Sequence, residues 1–265
     1  MLDASPAPAI GERGFEDRKD RLLRFLRADK LDAEKALVRI NEHAQWWKSY
    51  GMDRFRPEDE LDEAGPLFVC GDDLQGRPTL IARPCVHQSA SHEESIRVAR
   101  RVVYTNQRCI DRYPPGVTNH IVIFDTKGLN PRRNLDLTFT QEVVAQLSRY
   151  FPGRLAGVLV INASWSMSAF WLAVSVALDP EVKAKLQFCS SDFDSLMHAA
   201  VPADHPYLLY AKRVRGLDGA EAAAIALPRP TPYMAAWEES AGTSSTEAGD
   251  SDDCVTPSSS QYELI

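Results

Sequence analysis

No stretch of this sequence reaches the roughly 18 to 20 uncharged apolar residues that a membrane-spanning helix needs. The nearest, Trp165–Leu178, is broken up by Ser164, Ser166, Ser168 and Ser175. The first twenty residues have no apolar core of the kind a secretory signal requires. The five cysteines, at 70, 85, 109, 189 and 254, are odd in number and form no CxxC pair. Reduced thiols in a cytosolic protein follow as the expectation. There is no GxSxG elbow, no HExxH and no GxGxxG, so the common catalytic and dinucleotide signatures are absent. No internal repeat is found.

Basic residues are missing where they would matter most. From Glu238 to Ile265 there is no Lys or Arg and there are seven acids, at 238, 239, 247, 250, 252, 253 and 263. The net charge of −7 therefore sits entirely in this tail, and the body is near neutral. Neither part offers the dense basic face that nucleic-acid binding demands, so no nucleic acid is expected as a partner.

What is present is an alternation of strand-like and helix-like segments. Leu22, Leu23, Phe25 and Leu26 lie at helical spacing. After Asp32, a plausible N-cap, Ala36, Leu37, Ile40, Ala44 and Trp47 continue the pattern until Gly51. This predicts a helical hairpin with one apolar face. Leu67–Cys70 and Thr79–Ala82, joined by a Gly-rich turn, read as a β-hairpin-like pair. Ser91 opens a long amphipathic helix that ends at Tyr113-Pro114-Pro115-Gly116. His120–Phe124 and Gly157–Ala163 read as buried strands, Thr140–Tyr150 as a helix, the segment around Phe188 as a strand, and Ser195–Ala200 as a short helix. Strands alternating with helices from about 67 to 190 predict an α/β fold with a mixed, mostly parallel sheet.

Three local features invite a chemical reading and are better explained without one. Gly71–Thr79 superficially suggests a phosphate loop, but Arg77 stands where Lys should be, and Pro78 has no free N–H. A hairpin turn accounts for its glycines. His87 and His92 are five apart, which does not match ligand spacing of three or four on one helix. A polar surface loop is the plain expectation for both. Trp46 and Trp47 read as a helix-packing anchor.

Trp165–Leu178 is different. It has helix length, carries Trp165, Met167, Phe170, Trp171, Leu172, Val174 and Val176, and meets no charge before Asp179-Pro180. A helix apolar nearly all round is either buried on both sides or faces something greasy. Its aromatic first half followed by small residues suits a cover over an apolar pocket, and a central core helix remains the alternative. Such a pocket could hold a lipid strongly. At about 0.8 kcal/mol per methylene, a 16-carbon chain offers on the order of 12 kcal/mol.

Four segments together resemble the CRAL-TRIO lipid-binding family of phosphatidylinositol, tocopherol and retinaldehyde carriers. They are LLRFLRADKLDAEKALVRINEHAQWWKSYGMD, DLQGRPTLIARP, IVIFDTKGLN and YFPGRLAGVLVINASWSMSAFWLAVSVALDP, in the family's order and spacing. The resemblance runs from about Phe15 to Arg215. It implies a sheet floor with covering helices and a mobile gate helix over an apolar cavity. The implied organisation is a disordered 1–12, an N-terminal helical piece at 13–52, a lipid-binding domain at 60–215 and a disordered acidic tail at 216–265.

By motif position the gate is Trp165–Leu178. The residues implied to touch lipid are Trp165, Phe170, Trp171, Val174 and Ala177, with Arg154 and Lys185 at the headgroup. Gly153 stands where the phosphatidylinositol-binding members have Glu, which removes an acceptor for inositol hydroxyls. His205–Tyr210 replaces the family's Pro-x-x-Gly-Gly hinge. The resemblance implies no enzyme, no metal and no cofactor beyond one lipid ligand, phospholipid or isoprenoid-like. It further implies carriage between membranes or presentation to membrane enzymes, by a cytoplasmic protein that meets membrane surfaces transiently. A membrane-associated regulatory scaffold that senses lipid without transferring it is the alternative.

Overall fold

A computed structural model describes residues 18–55, 65–88, 91–134, 136–163, 175–176, 178, 180–189, 193–217, 221 and 225–228. The residues 1–12 and most of the tail, on which the sequence predicts disorder, lie outside these.

Two helices open the described chain, α1 (Arg18–Ala28) and α2 (Ala33–Tyr50). Asp32 caps α2 by accepting the Lys35 N–H at 3.0 Å, as its sequence position suggests. The antiparallel strands β1 (Leu67–Asp72) and β2 (Pro78–Ala82) follow. Their turn is held by Asp73, whose carboxylate accepts the N–H groups of Gln75 at 2.8 Å and Arg77 at 2.9 Å. Ser91 caps the long helix α3 (His92–Asp111) through the Glu94 N–H. Next come β3 (His120–Asp125), the single turn α4 (Pro131–Asn134), α5 (Leu137–Tyr150) and β4 (Leu155–Ile161). After these, the described residues form α6 (Pro180–Ala184), β5 (Leu186–Cys189), α7 (Phe193–Ala200) and α8 (Pro206–Val214). Helix α5 begins three residues before the predicted Thr140, because Asp136 caps it by accepting the Phe139 N–H at 2.9 Å.

Five strands among the described residues form one sheet in the order β1-β2-β3-β4-β5, antiparallel at the first pair and parallel thereafter. This is the mixed, mostly parallel sheet predicted. Strand side chains alternate between the two faces, and the faces differ. On one, Phe68, Cys70, Ile81, Ile121, Ile123, Leu159 and Ile161 are all buried against Met197 and Val201 and against Tyr207, Leu208 and Ala211 of α8. On the other, Leu67, Val69 and Leu80 pack under Val102, Val103 and Ile110 of α3 and under Trp46 and Trp47 of α2. The tryptophan pair is thus a packing anchor, with Trp47 only 1% exposed. Burying such a side chain is worth roughly 1.5–3 kcal/mol.

His87 departs from expectation. It is buried rather than part of a polar surface loop. Its Nε2 lies 3.0 Å from the Asp136 carboxylate, and its ring stacks on Phe139 at 4.0 Å. The sequence separates these partners by almost fifty positions, and no local pattern joins them. His92, at the start of α3, is exposed.

Candidate functional site

The second sheet face loses its cover as it leaves β1 and β2. In parallel register, Leu80, Val122, Val158 and Leu186 form one row across it, and Ala82, Phe124, Val160 and Phe188 the next. Leu80 is fully buried, whereas Val122, Phe124 and Leu186 are half-buried and Phe188 is 42% exposed. Helix α5, LTFTQEVVAQLSRY, packs on α3 and carries Phe139, Val143, Val144 and Leu147, yet contains no fully buried residue. Phe139, Val143 and Leu147, like Val122, are partly buried and pack against the core of this face. Val158 and Val160 in these rows are buried, so incomplete burial is confined to Ala82, Val122, Phe124, Leu186 and Phe188 on the sheet and to the apolar side chains of α5.

One end of this region is the turn from α5 into β4, Tyr150–Arg154, and the N-terminal helices grip it. Arg39 of α2 donates to the Ser148 carbonyl at 2.7 Å and the Arg149 carbonyl at 2.9 Å. It thereby satisfies orphan carbonyls and opposes the negative end of the α5 dipole. Trp46 stacks on Tyr150 at 4.1 Å and meets Phe151 edge-on. Arg24 of α1, itself buried, donates to the Pro152 carbonyl at 3.0 Å. Gly153 has φ +72°, and a Cβ there would stand 3.0 Å from the Arg24 Cγ.

Arg154 is 3% exposed. Its guanidinium donates to the Thr118 carbonyl at 2.9 Å and lies over the Tyr113 ring. The Tyr113 hydroxyl is 2.6 Å from His120 Nδ1. Burial, reinforced by the Arg154 charge, pushes the His120 pKa down to about 3, so the ring is neutral. Lys185 reaches outward to Glu181 at 2.6 Å, while its carbonyl accepts the Val158 N–H. Arg154 and Lys185 thus belong to opposite neighbourhoods, the first enclosed and the second at the surface end of α6. Trp165, Phe170, Trp171, Val174 and Ala177 lie outside the described residues, as does most of the predicted gate.

Sequence reading passed over a buried polar knot at the C-terminal ends of β3 and β4. Asp125 accepts from the Lys127 N–H at 2.9 Å, from Asn162 Nδ2 at 2.7 Å and from the Tyr207 hydroxyl at 2.7 Å. Tyr207 is fully buried, and burial beside Asp125 raises its pKa well above the ordinary value. Lys127 Nζ donates to the Val214 and Leu217 carbonyls. The strand end Asp125-Thr126-Lys127-Gly128 therefore fastens both ends of α8 to the sheet. The sequence signal was the Asp-x-x-Gly turn. Its partner Tyr207 was hidden in the His205–Tyr210 segment, which forms the start of α8 where the sequence suggested only a lost hinge.

Among the described residues no group of His, Cys, Asp or Glu could hold a metal ion, and no helix is long and apolar enough to cross a membrane.

Comparison with known proteins agrees with this architecture. Residues 62–206, more than half the chain, match the CRAL/TRIO domain model. A CRAL-TRIO domain-containing protein of Schizosaccharomyces pombe is 30% identical over 169 residues, covering 63% of this chain and 16% of that protein. The SEC14 cytosolic factor of Yarrowia lipolytica is 25% identical over 211 residues, covering 72% of this chain and 43% of its own length. The chain thus spans less than half the length of either relative. In three dimensions it is similar to the crystal structure of Sfh5, with a TM-score of 0.62 at 13% identity over 86% of this chain and 83% of that one. The mixed sheet, its helices and the matched segment place the chain in the CRAL/TRIO domain family.

Proposed function

We propose that this protein binds a single hydrophobic lipid against the half-covered sheet face and carries it between membranes without chemically changing it. The observation that supports this most is the incomplete burial of apolar side chains, Val122, Phe124, Leu186 and Phe188 on the sheet and Phe139, Val143 and Leu147 on α5. Leaving that much apolar area without a guest would forfeit about 25 cal/mol for each Å². A lipid chain supplies the missing contacts. Relatives point the same way: the Yarrowia protein is named a SEC14 cytosolic factor, and a Saccharomyces cerevisiae relative, 24% identical over 199 residues, is named a phosphatidylinositol transfer protein.

In this reading residues 13–52 brace the lipid-binding domain, residues 60–215 form it, and Trp165, Phe170, Trp171, Val174 and Ala177 complete the cavity from the gate. Lys185, at the surface, is the better placed of the two cations to meet a headgroup. No cofactor and no catalytic residue are invoked.

The test is the lipid content of the purified full chain, by mass spectrometry after organic extraction. About one lipid per protein is expected, together with exchange of a fluorescent phospholipid between vesicles. A chain that purifies empty and takes up no fluorescent lipid overturns the reading. Vesicle binding without exchange would replace it with a lipid-sensing scaffold.

A further inference from the structure

We infer that the loops at the C-terminal ends of β2 and β3 form a docking rim for an anionic bilayer surface, with Val86 and Leu137 entering the interface and Arg132 and Arg133 holding its phosphates. This rests on the lipid-carrier reading only in that a carrier must meet a membrane.

The rim is a built object. Asn134, buried, donates through Nδ2 to the carbonyls of Cys85 at 3.1 Å and His87 at 2.9 Å. Its Oδ1 accepts the Asn130 N–H at 2.8 Å. Two residues on, the Asp136 Oδ2 takes His87 Nε2 at 3.0 Å and the Ser95 hydroxyl at 2.6 Å, and Oδ1 caps α5. The turn Pro84–Val86, the helix α4 and the first turn of α5 are thereby locked together, with every one of these polar groups directed inward.

What the lock presents outward is of the opposite kind. Val86 is 38% exposed and Leu137 is 49% exposed. Val86 stands between the two residues whose carbonyls Asn134 holds, and Leu137 directly follows Asp136. Arg132 and Arg133, the two residues before Asn134, are both exposed. Among the described residues neither arginine is seen in an ion pair: Asp136 is occupied by its three donors and Glu94 is 3.5 Å from Arg97.

Exposed aliphatic side chains on a rigid frame, beside unopposed guanidinium groups, suit a surface that is both greasy and negative. A protein partner would need shape matching over a far larger area. A lipid surface needs only a few inserted side chains and a few phosphate contacts.

Co-sedimentation of the full chain with vesicles of phosphatidylcholine alone, or with phosphatidylserine added, tests this. The parent should bind the anionic vesicles more tightly, with an advantage that salt removes. R132Q/R133Q should weaken anionic binding on the order of tenfold or more and leave neutral vesicles unaffected. V86S/L137S should lower binding to both vesicle types. K19Q/K48Q, at exposed positions on α1 and α2, is the control and should bind like the parent. Lipid loading, read by mass spectrometry, should stay unchanged in all three variants, which separates failure of docking from failure of carriage. A parent that ignores anionic vesicles, rim variants that bind like the parent, or an equal loss in the control on the N-terminal helices each overturns the assignment.

Discussion

Arg24 lies across Gly153. The Cγ of this α1 arginine would be 3.0 Å from any Cβ at position 153, and its guanidinium is bonded to the carbonyl of Pro152. The glycine that looks in the sequence like a missing headgroup ligand is, in the fold, the seat of a side chain from the N-terminal helices. Two costs fall on any larger residue there: the left-handed backbone, with φ +72°, and the displaced arginine.

Gly153→Ala is therefore expected to destabilise the protein by about 1–2 kcal/mol, measured by denaturant unfolding. Adding Arg24→Ala should relieve the steric part and leave the backbone part. Gly153→Glu should gain no phosphatidylinositol in a lipid-extraction assay, since its side chain would emerge under α1. Gained binding would mean that α1 can leave its seat.

Arg154→Ala removes a buried guanidinium that bonds Thr118 and covers Tyr113. A loss of about 2–3 kcal/mol in stability is expected, in the range for a hydrogen bond to a charged group plus lost packing. A variant that unfolds like the parent but loses its lipid would instead assign Arg154 to the headgroup.

Acid should loosen the fold through histidine. His120 is held neutral in the native state with its pKa down to about 3, and burial lowers His205 to about 4. In the unfolded chain both titrate near 6.5. The unfolded state thus binds more protons between these values, so their contribution is complete above about pH 6.5 and is lost as pH falls toward 4 and then 3. The melting temperature should drop over that window. His120→Gln should flatten the slope there, and a slope identical to the parent's would remove His120 as a cause.

Tyr207→Phe leaves Asp125 with its Lys127 and Asn162 donors and deletes the third. About 1.5–3 kcal/mol of stability should be lost. Hydrogen exchange should accelerate first in α8, which this bond ties to the sheet.

Filling the half-covered face should displace the proposed lipid. Val122→Trp or Val143→Trp adds bulk where the parent side chain is only half-buried. Co-purified lipid should fall several-fold, with stability changed by less than the 1–3 kcal/mol typical of overpacking a closed core. Unchanged loading would place the lipid elsewhere.

The sheet and the order of its elements were legible in the sequence because strand and helix periodicities are local. His120–Phe124 and Gly157–Ala163 are apolar and β-branched, and the caps at Asp32 and Ser91 mark helix starts. The site was only half legible. HIVIF reads as buried on both faces, and nothing local says that Ile121 and Ile123 face a sealed layer while Val122 and Phe124 face a thin one. That difference is made by Met197, Val201 and α8, more than seventy positions further on, which seal only one of the two faces. Long-range polar pairs were equally hidden: Asp125 with Tyr207, His87 with Asp136, and Arg24 with Pro152 join residues 82, 49 and 128 positions apart.

The unequal faces of the sheet also divide what mutation can reach. Substitutions among Ile81, Ile123, Leu159 and Tyr207 strike a filled interior and are expected to be purged for stability. Substitutions at Val122, Phe124, Phe139 or Leu186 reshape a loosely filled margin and leave the frame standing. On the proposed reading, a lineage can therefore change which guest it prefers by drifting on one side of the sheet, while the other side keeps the fold constant.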